Sequence, residues 1–237
     1  MSTSILAFDT SGSVLDIAFV HGAEMWSTSL DVGRAQGEAV GPALRDILDE
    51  AHAGISDLSA VVVPRGPGSF TGLRIAIAFA KGLEAASGVP VFAADTHRAM
   101  TRAAADNREP PKAVAALIDG RKQRYFAALD EILDDGTYRR VFGPVDEDAA
   151  TLHSRLEEFR RSLDMPCGGE TEGKDLVLVG DPMPGRDWVS FPQPQPVSGV
   201  AQALIRMYQQ GDPLLFRLGE TEGPNYFRVS QAEEASL

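Results

Sequence analysis

The sequence is short of cysteine, of clustered histidine and of positive charge. Its one cysteine, Cys167, excludes an intramolecular disulfide and a cysteine-rich zinc site. The four histidines, His21, His52, His97 and His153, are scattered, with no pair at i, i+4. No metal site is therefore expected, and each histidine reads as a surface or loop residue. No Gly-x-Ser-x-Gly elbow occurs, which excludes that form of serine hydrolase. No Gly-Lys-Ser/Thr closes a glycine-rich loop, which excludes a P-loop. The longest apolar stretch, Leu73 to Ala86, is interrupted by Arg74, Lys81 and Glu84 and is too short and too charged to span a bilayer. No basic-then-apolar leader precedes the first apolar run, so no secretory signal and no membrane attachment are expected. The expected location is the cytoplasm.

Lysine and arginine number 22 against 34 aspartate and glutamate, a formal net charge of −12. Affinity for nucleic acid rests mainly on neutralising phosphates with basic side chains. A chain this acidic is a poor RNA binder by itself, so any role in RNA chemistry runs through a partner. Hydrophobic residues make up 43% and charged residues 24%, the ordinary range for a soluble globular protein. The 237 residues suit one large domain or two lobes of roughly 100 residues each.

The pattern favours two lobes. Ile5 to Phe8, Val14 to Val20 and Glu24 to Ser29 read as an antiparallel meander joined by polar turns. Val40, Ala43, Leu44, Ile47, Leu48 and Ala51 then fall on one face of a helix over Gln36 to Ala51. Ala60 to Val63 reads as a buried strand, Thr71 to Ala86 as a second helix ended by Gly88 and Pro90, and Val91 to Ala93 as a short strand. The polar, proline-containing segment from Asp106 to Pro111 is a candidate boundary. Beyond it the order recurs: strands at Ala113 to Ile118, Tyr125 to Ile132 and Tyr138 to Val145, a helix over Ala149 to Leu163, a strand at Leu176 to Val179 and a helix over Ser198 to Gln209. Asp9 and Asp119 take equivalent places, each closing the first strand of its half. The expected fold is α/β, a duplicated ribonuclease-H-like fold of the actin/Hsp70 type. Its lobes would be 1–108 and 109–237, each a mixed sheet flanked by helices. Gly168 to Gly173 and Phe191 to Pro196 read as surface loops.

Three local features bear on function. Gly66-Pro67-Gly68-Ser69-Phe70-Thr71-Gly72-Leu73-Arg74 joins a buried strand to a helix start. Glycines allow close approach of backbone amides to a ligand, and a helix start attracts anions. Gly66, Gly68, Ser69 and Thr71 are thus candidate phosphate contacts, or else parts of a tight turn in which Ser69 or Thr71 caps the helix. Asp9-Thr10-Ser11-Gly12-Ser13 is a candidate metal–phosphate turn or an ordinary Asx/Ser turn. Asp119-Gly120-Arg121-Lys122 is its counterpart, with Arg121 a candidate anion contact. The third feature is the helix from Thr71 to Ala86, which is apolar nearly all round, with Gly72, Ala76 and Ala80 at four-residue spacing. Either it is covered within one chain or one side awaits a second polypeptide.

Gly66 to Val91, GPGSFTGLRIAIAFAKGLEAASGVPV, resembles the signature of the TsaB (YeaZ) family. The opening Ile5 to Ser11, ILAFDTS, and Pro224 to Arg228, PNYFR, resemble that family's start and its C-terminal Pro-x-Tyr-x-Arg motif. The resemblance spans the chain and is dense in the first hundred residues. It implies an actin/Hsp70-like fold of the glycoprotease-like group. It also implies a subunit with no catalytic residues of its own, acting in threonylcarbamoyladenosine formation at adenosine 37 of tRNAs that read codons beginning with A. The implied partners are TsaD, the catalytic paralogue, as a heterodimer, and the ATPase TsaE. A TsaC-type enzyme would supply the adenylate. Contact with tRNA would be indirect. The family's interface uses the first two helices, which implies Val40, Leu44 and Ile47 on one and Leu73, Ala76, Ile77 and Ala80 on the other. Without the partner, a homodimer through the same helices is the alternative. No cofactor is implied for the chain itself, and ATP or ADP at an interface with partners stays open.

Two departures bear on this. The catalytic paralogue's His-x-x-x-His metal pair falls here on Thr96 and Met100, and His97 alone cannot replace it. The family's Asp-Ala-Arg turn is here Asp119 to Phe126, DGRKQRYF, with Arg124 where an acidic or amide residue is usual. The competing enzymatic reading is an ATP-dependent phosphotransferase or ATPase of the sugar-kinase/Hsp70 class using Asp9 and Asp119. It lacks a late adenosine-binding glycine motif, because Pro182 removes an amide from Gly180-Asp181-Pro182. A glycoprotease has neither metal pair nor nucleophile here.

Overall fold

The computed structural model describes residues 3–106, 110–162, 175–183 and 191–226. Cys167, the Gly168 to Gly173 loop, Leu163, and Phe227 and Arg228 of the C-terminal motif lie outside them. The chain divides into two units, Met1–Ala99 with Ser198–Leu237, and Met100–Val197.

In the first unit β1 (Ser4–Asp9), β2 (Val14–His21) and β3 (Glu24–Asp31) form the expected meander. Helix α1 (Gln36–Glu50) leads to β4 (Ala60–Gly66), which pairs parallel to β1. Helix α2 (Phe70–Ser87) leads to β5 (Val91–Asp95), parallel to β4, and α3 (Thr96–Asp106) begins in the first unit and continues in the second. In the second unit β6 (Ala113–Asp119), β7 (Arg124–Ile132) and β8 (Tyr138–Asp148) repeat the meander. Helix α4 (Ala149–Ser162) and β9 (Leu176–Gly180) complete it, with β9 parallel to β6. Helix α5 (Val200–Gln210) and β10 (Leu215–Arg217) follow. The sheets run β10-β5-β4-β1-β2-β3 and β8-β7-β6-β9. The meander flanked by a parallel strand recurs in both, and the fold is a duplicated ribonuclease-H-like fold.

Both faces of β1, β2 and β4 are buried, which is why these strands are rich in apolar residues. Leu6, Phe8, Ile17, Phe19, Val61 and Val63 pack under α1 and α2 with Val40, Leu44, Ile47, Ala76, Ile77 and Ala80. Alternation turns Ile5, Ala7, Ala18 and Val62, all fully buried, to the opposite face. Helix α5 lies against β1, β2 and β4 and brings Ala201, Leu204, Ile205 and Met207 into burial. Asp16 of β2 caps it, its Oδ2 accepting from the Ala201 amide at 2.9 Å. The second unit has its own core of Leu117, Leu129, Leu152, Leu156 and Leu178 under α4.

The division differs from 1–108 and 109–237. The segment from Ser198 belongs to the first unit, because α5 covers the otherwise open face of the first sheet and β10 pairs with β5. Helix α3 and β10 carry no pattern that marks them. The histidine reading also changes: His97 is fully buried on α3, while His21 accepts or donates a 2.9 Å bond with Ser4 Oγ at the end of β2. Among the described residues, no helix is long and apolar enough to cross a membrane.

Candidate functional site

The first strand ends in a carboxylate and the fourth in glycine, and the fold sets these two ends side by side. Ser11 N–H donates to Asp9 Oδ1 at 2.6 Å, closing an Asx turn. The Ser69 amide donates to the Ser11 carbonyl at 2.8 Å, and Thr10 Oγ1 donates to the Gly72 carbonyl at 2.7 Å. Gln36 Nε2, at the start of α1, donates to the Gly12 carbonyl. Ser69 caps α2, its Oγ accepting from the Gly72 amide at 3.3 Å. Thr10 and Ser11 therefore meet Gly68, Ser69 and Gly72, while Gly66 ends β4 and Thr71 lies in the first turn of α2. Arg121 belongs to the other unit, where it is largely exposed and pairs with Asp119 at 3.3 Å.

The glycines have a packing reason. A Cβ on Gly68 would sit 2.7 Å from Ser11 Cβ, and one on Gly72 would sit 1.8 Å from the Thr10 carbonyl oxygen. Gly66 has φ +131°, and a Cβ there would sit 2.6 Å from the Asn225 carbonyl oxygen. The loop is spaced to receive its own chain. The amides of Ser69 and Gly72 and the hydroxyl of Thr10 are bonded internally, and Ser69 and Thr71 are exposed.

Burial pushes the Asp9 carboxyl up from its ordinary 3.8 to about 6, against the opposing Ser11 hydrogen bonds, and the nearby Asp16 adds to the rise. This turn supplies no positive charge of its own to an anion. Among the described residues, no group of three or more His, Cys, Asp or Glu is placed to hold a metal ion. Asp119 repeats the Asx geometry, accepting from Arg121 N–H at 2.8 Å. Gly180 is also a packing glycine, since a Cβ there would sit 1.9 Å from the Leu117 carbonyl oxygen. Arg124, the departure in the second turn, donates from Nε to Asp146 Oδ1 at 2.9 Å.

The seven residues expected at a partner interface are all in the chain's own core. Val40, Leu44, Ile47, Leu73, Ala76, Ile77 and Ala80 are each at most 5% exposed. A partner could reach them only by opening the fold, so they are corrected from interface to core. The apolar face of α2 is spent on the sheet. Its opposite face exposes the small residues Thr71, Ala78, Gly82 and Ala85 together with Arg74. Half-buried Ile75 and Phe79 lean toward α1, where a Cβ on Gly37 or Gly41 would lie 3.6 or 3.8 Å from them.

One cluster was not anticipated. The segment after β10 crosses the start of α2. Arg65 Nε donates to the Gly223 carbonyl at 3.0 Å, and the Asn225 amide donates to the Arg65 carbonyl at 2.8 Å. Tyr226 stacks on Phe70 with centroids 4.6 Å apart, and Arg74 lies 3.9 Å above the Phe70 ring while donating to Tyr226 Oη at 2.8 Å. The Pro-x-Tyr-x-Arg motif marked Tyr226, but nothing in the sequence joined it to Phe70 and Arg74.

Residues 31–182, more than half of the chain, match the family described as "TsaD: tRNA N6-adenosine threonylcarbamoyltransferase". The tRNA threonylcarbamoyladenosine biosynthesis protein TsaB of Escherichia coli is 31% identical over 155 residues, covering 65% of this chain and 67% of that protein. The chain belongs to the TsaB (YeaZ) family. The TsaB protein of Haemophilus influenzae is 29% identical over 126 residues, so the chain spans about half the length of that relative, 53%. YeaZ from Pseudomonas aeruginosa, a solved structure, has the same fold, with a TM-score of 0.69 at 24% identity over 95% of this chain and all of that one. Thr96 and Met100 are both buried on α3.

Proposed function

We propose that the chain is a non-catalytic subunit of the machinery that forms threonylcarbamoyladenosine at adenosine 37 of tRNAs reading codons that begin with A. It docks a TsaD-type catalytic subunit and, with it, recruits the ATPase TsaE. The tRNA is held by the assembly and not by this acidic chain. The observation that carries the reading is the outward face of α2. Ala78, Gly82 and Ala85 line it, small enough for another helix to approach closely, while Thr71 and the exposed Arg74, held against Phe70 and Tyr226, flank it at the start of a helix whose other face is fixed in the core. Without the partner, the same face pairs two copies of the chain.

Co-purification with a TsaD-type enzyme tests this. Ala78→Arg places a long cation on the exposed face and is expected to abolish the complex while leaving circular dichroism unchanged. Loss of the fold, or binding equal to wild type, would refute the docking face. ATP or ADP belongs to the assembled complex on this reading. Calorimetry of the isolated chain with Mg-ATP is expected to show no binding. Micromolar affinity with turnover would favour a phosphotransferase instead.

A further inference from the structure

We propose that β3 receives an extended peptide segment, uncharged in its middle and basic at both ends, as an added strand on the first sheet. β3 closes one edge of that sheet, and among the described residues only β2 pairs with it. The pairing runs unbroken from Val14↔Asp31 to His21↔Glu24. In such a strand alternate residues turn their N–H and C=O away from the neighbour, so β3 carries a row of outward backbone groups.

Edges of this kind are normally blunted by shortness, bulges, proline or lysine. The other edges here follow the rule. β10 has three residues. β8 is interrupted by register shifts around Ala127 and Leu129 of its neighbour and contains Pro144. β9 is bridged by Gln195. β3 has none of these devices. Its interior, Met25 to Leu30, holds no proline and no charge, and Met25 and Leu30 are 42% and 38% exposed.

The edge is also held still. Ser29 Oγ donates to Asp16 Oδ1 at 2.7 Å, Gln202 Nε2 of α5 donates to Ser27 Oγ at 2.9 Å, and Trp26 packs on the core and stacks on Phe19. A fixed edge leaves only the incoming segment to be ordered. The charges choose the occupant. Glu24 and Asp31, at the two ends, are the charged residues of the strand. Centred antiparallel pairing of two copies would set Glu24 opposite Asp31, like against like, which is destabilising. Lysine or arginine at each end of a foreign segment meets both carboxylates. This site is separate from the outward face of α2, and either can fail alone.

The test uses the full chain and three synthetic peptides with an alternating Thr/Val interior: one ended by arginine at both termini, one ended by glutamate, and one arginine-ended but N-methylated on alternate residues of the edge facing the protein. Calorimetry is expected to show binding of the first, about tenfold weaker binding of the second and none of the third. Met25→Lys is expected to weaken the first by about tenfold without moving the thermal midpoint. No binding of the arginine-ended peptide, equal binding of all three, or indifference to Met25→Lys would overturn the proposal. So would a dimer in sedimentation equilibrium that Met25→Lys dissolves, since the occupant would then be a second copy.

Discussion

The carbonyl oxygen of Thr10 stands 1.8 Å from where a Cβ on Gly72 would be, while the Thr10 hydroxyl donates to the Gly72 carbonyl at 2.7 Å. Two backbones thus touch where β1 leaves the sheet and α2 enters its first turn. Neither can yield, because each is continuous with a buried strand or helix. Gly72→Ala is expected to destabilise the fold by about 3 kcal/mol. Gly82→Ala, on the same helix with nothing within 4 Å of its added methyl, is expected to stabilise it by up to about 1 kcal/mol. Urea unfolding of the two variants checks both signs.

Asp9 predicts an unusual pH dependence. Its carboxyl is raised by burial from 3.8 to about 6 in the folded chain. Between those values the folded chain holds a proton that the unfolded chain has lost. Stability from this group is therefore fullest below about pH 4, falls as pH rises through about 6, and is level above. A shift of about two pH units corresponds to about 3 kcal/mol. Asp9→Asn keeps an oxygen for the Ser11 amide and carries no charge. It is expected to remove the slope between pH 4 and 6 and to be more stable than wild type at pH 7.5, measured by urea midpoints across the range.

The second unit holds a buried ion pair. Asp130 is fully buried and accepts from Arg140 Nε at 2.7 Å and from Thr101 Oγ1 at 3.1 Å. Removing the cation strands a carboxylate in the interior. Arg140→Met is expected to cost about 3–5 kcal/mol, and Asp130→Leu combined with Arg140→Met much less. A double-mutant cycle in urea reads the difference.

The order of strands and helices was legible because each sheet face and helix stripe imposes its own period. The Gly66 to Arg74 run joins β4 to α2 as read, and the structure adds that the turn after Asp9 packs against it. What the glycines are for was not legible: the Thr10 and Asn225 carbonyls they accommodate are remote in sequence. Helix α3 was missed because its Thr96, His97, Arg98, Thr101 and Arg102 are polar and yet all are buried. Burial of polar side chains erases the polar–apolar stripe on which helix recognition depends. The return of α5 and β10 to the first sheet is a long-range pairing with no local signature. The interface residues were misassigned for a related reason. An all-apolar helix shows that it is covered, but not which side the chain covers itself. Ala76 and Ala80 went to the core, and Ala78 and Gly82 to the surface.

The central claim is that the chain acts by docking and not by chemistry of its own. The most direct measurement is the rate of threonylcarbamoyladenosine formation on tRNA by a TsaD-type enzyme with TsaE and the adenylate, with and without this chain. The expected result is no product from the chain alone, strong stimulation by the wild type and none by a folded Ala78→Arg variant. Product from the chain alone, or full stimulation by Ala78→Arg, would contradict it.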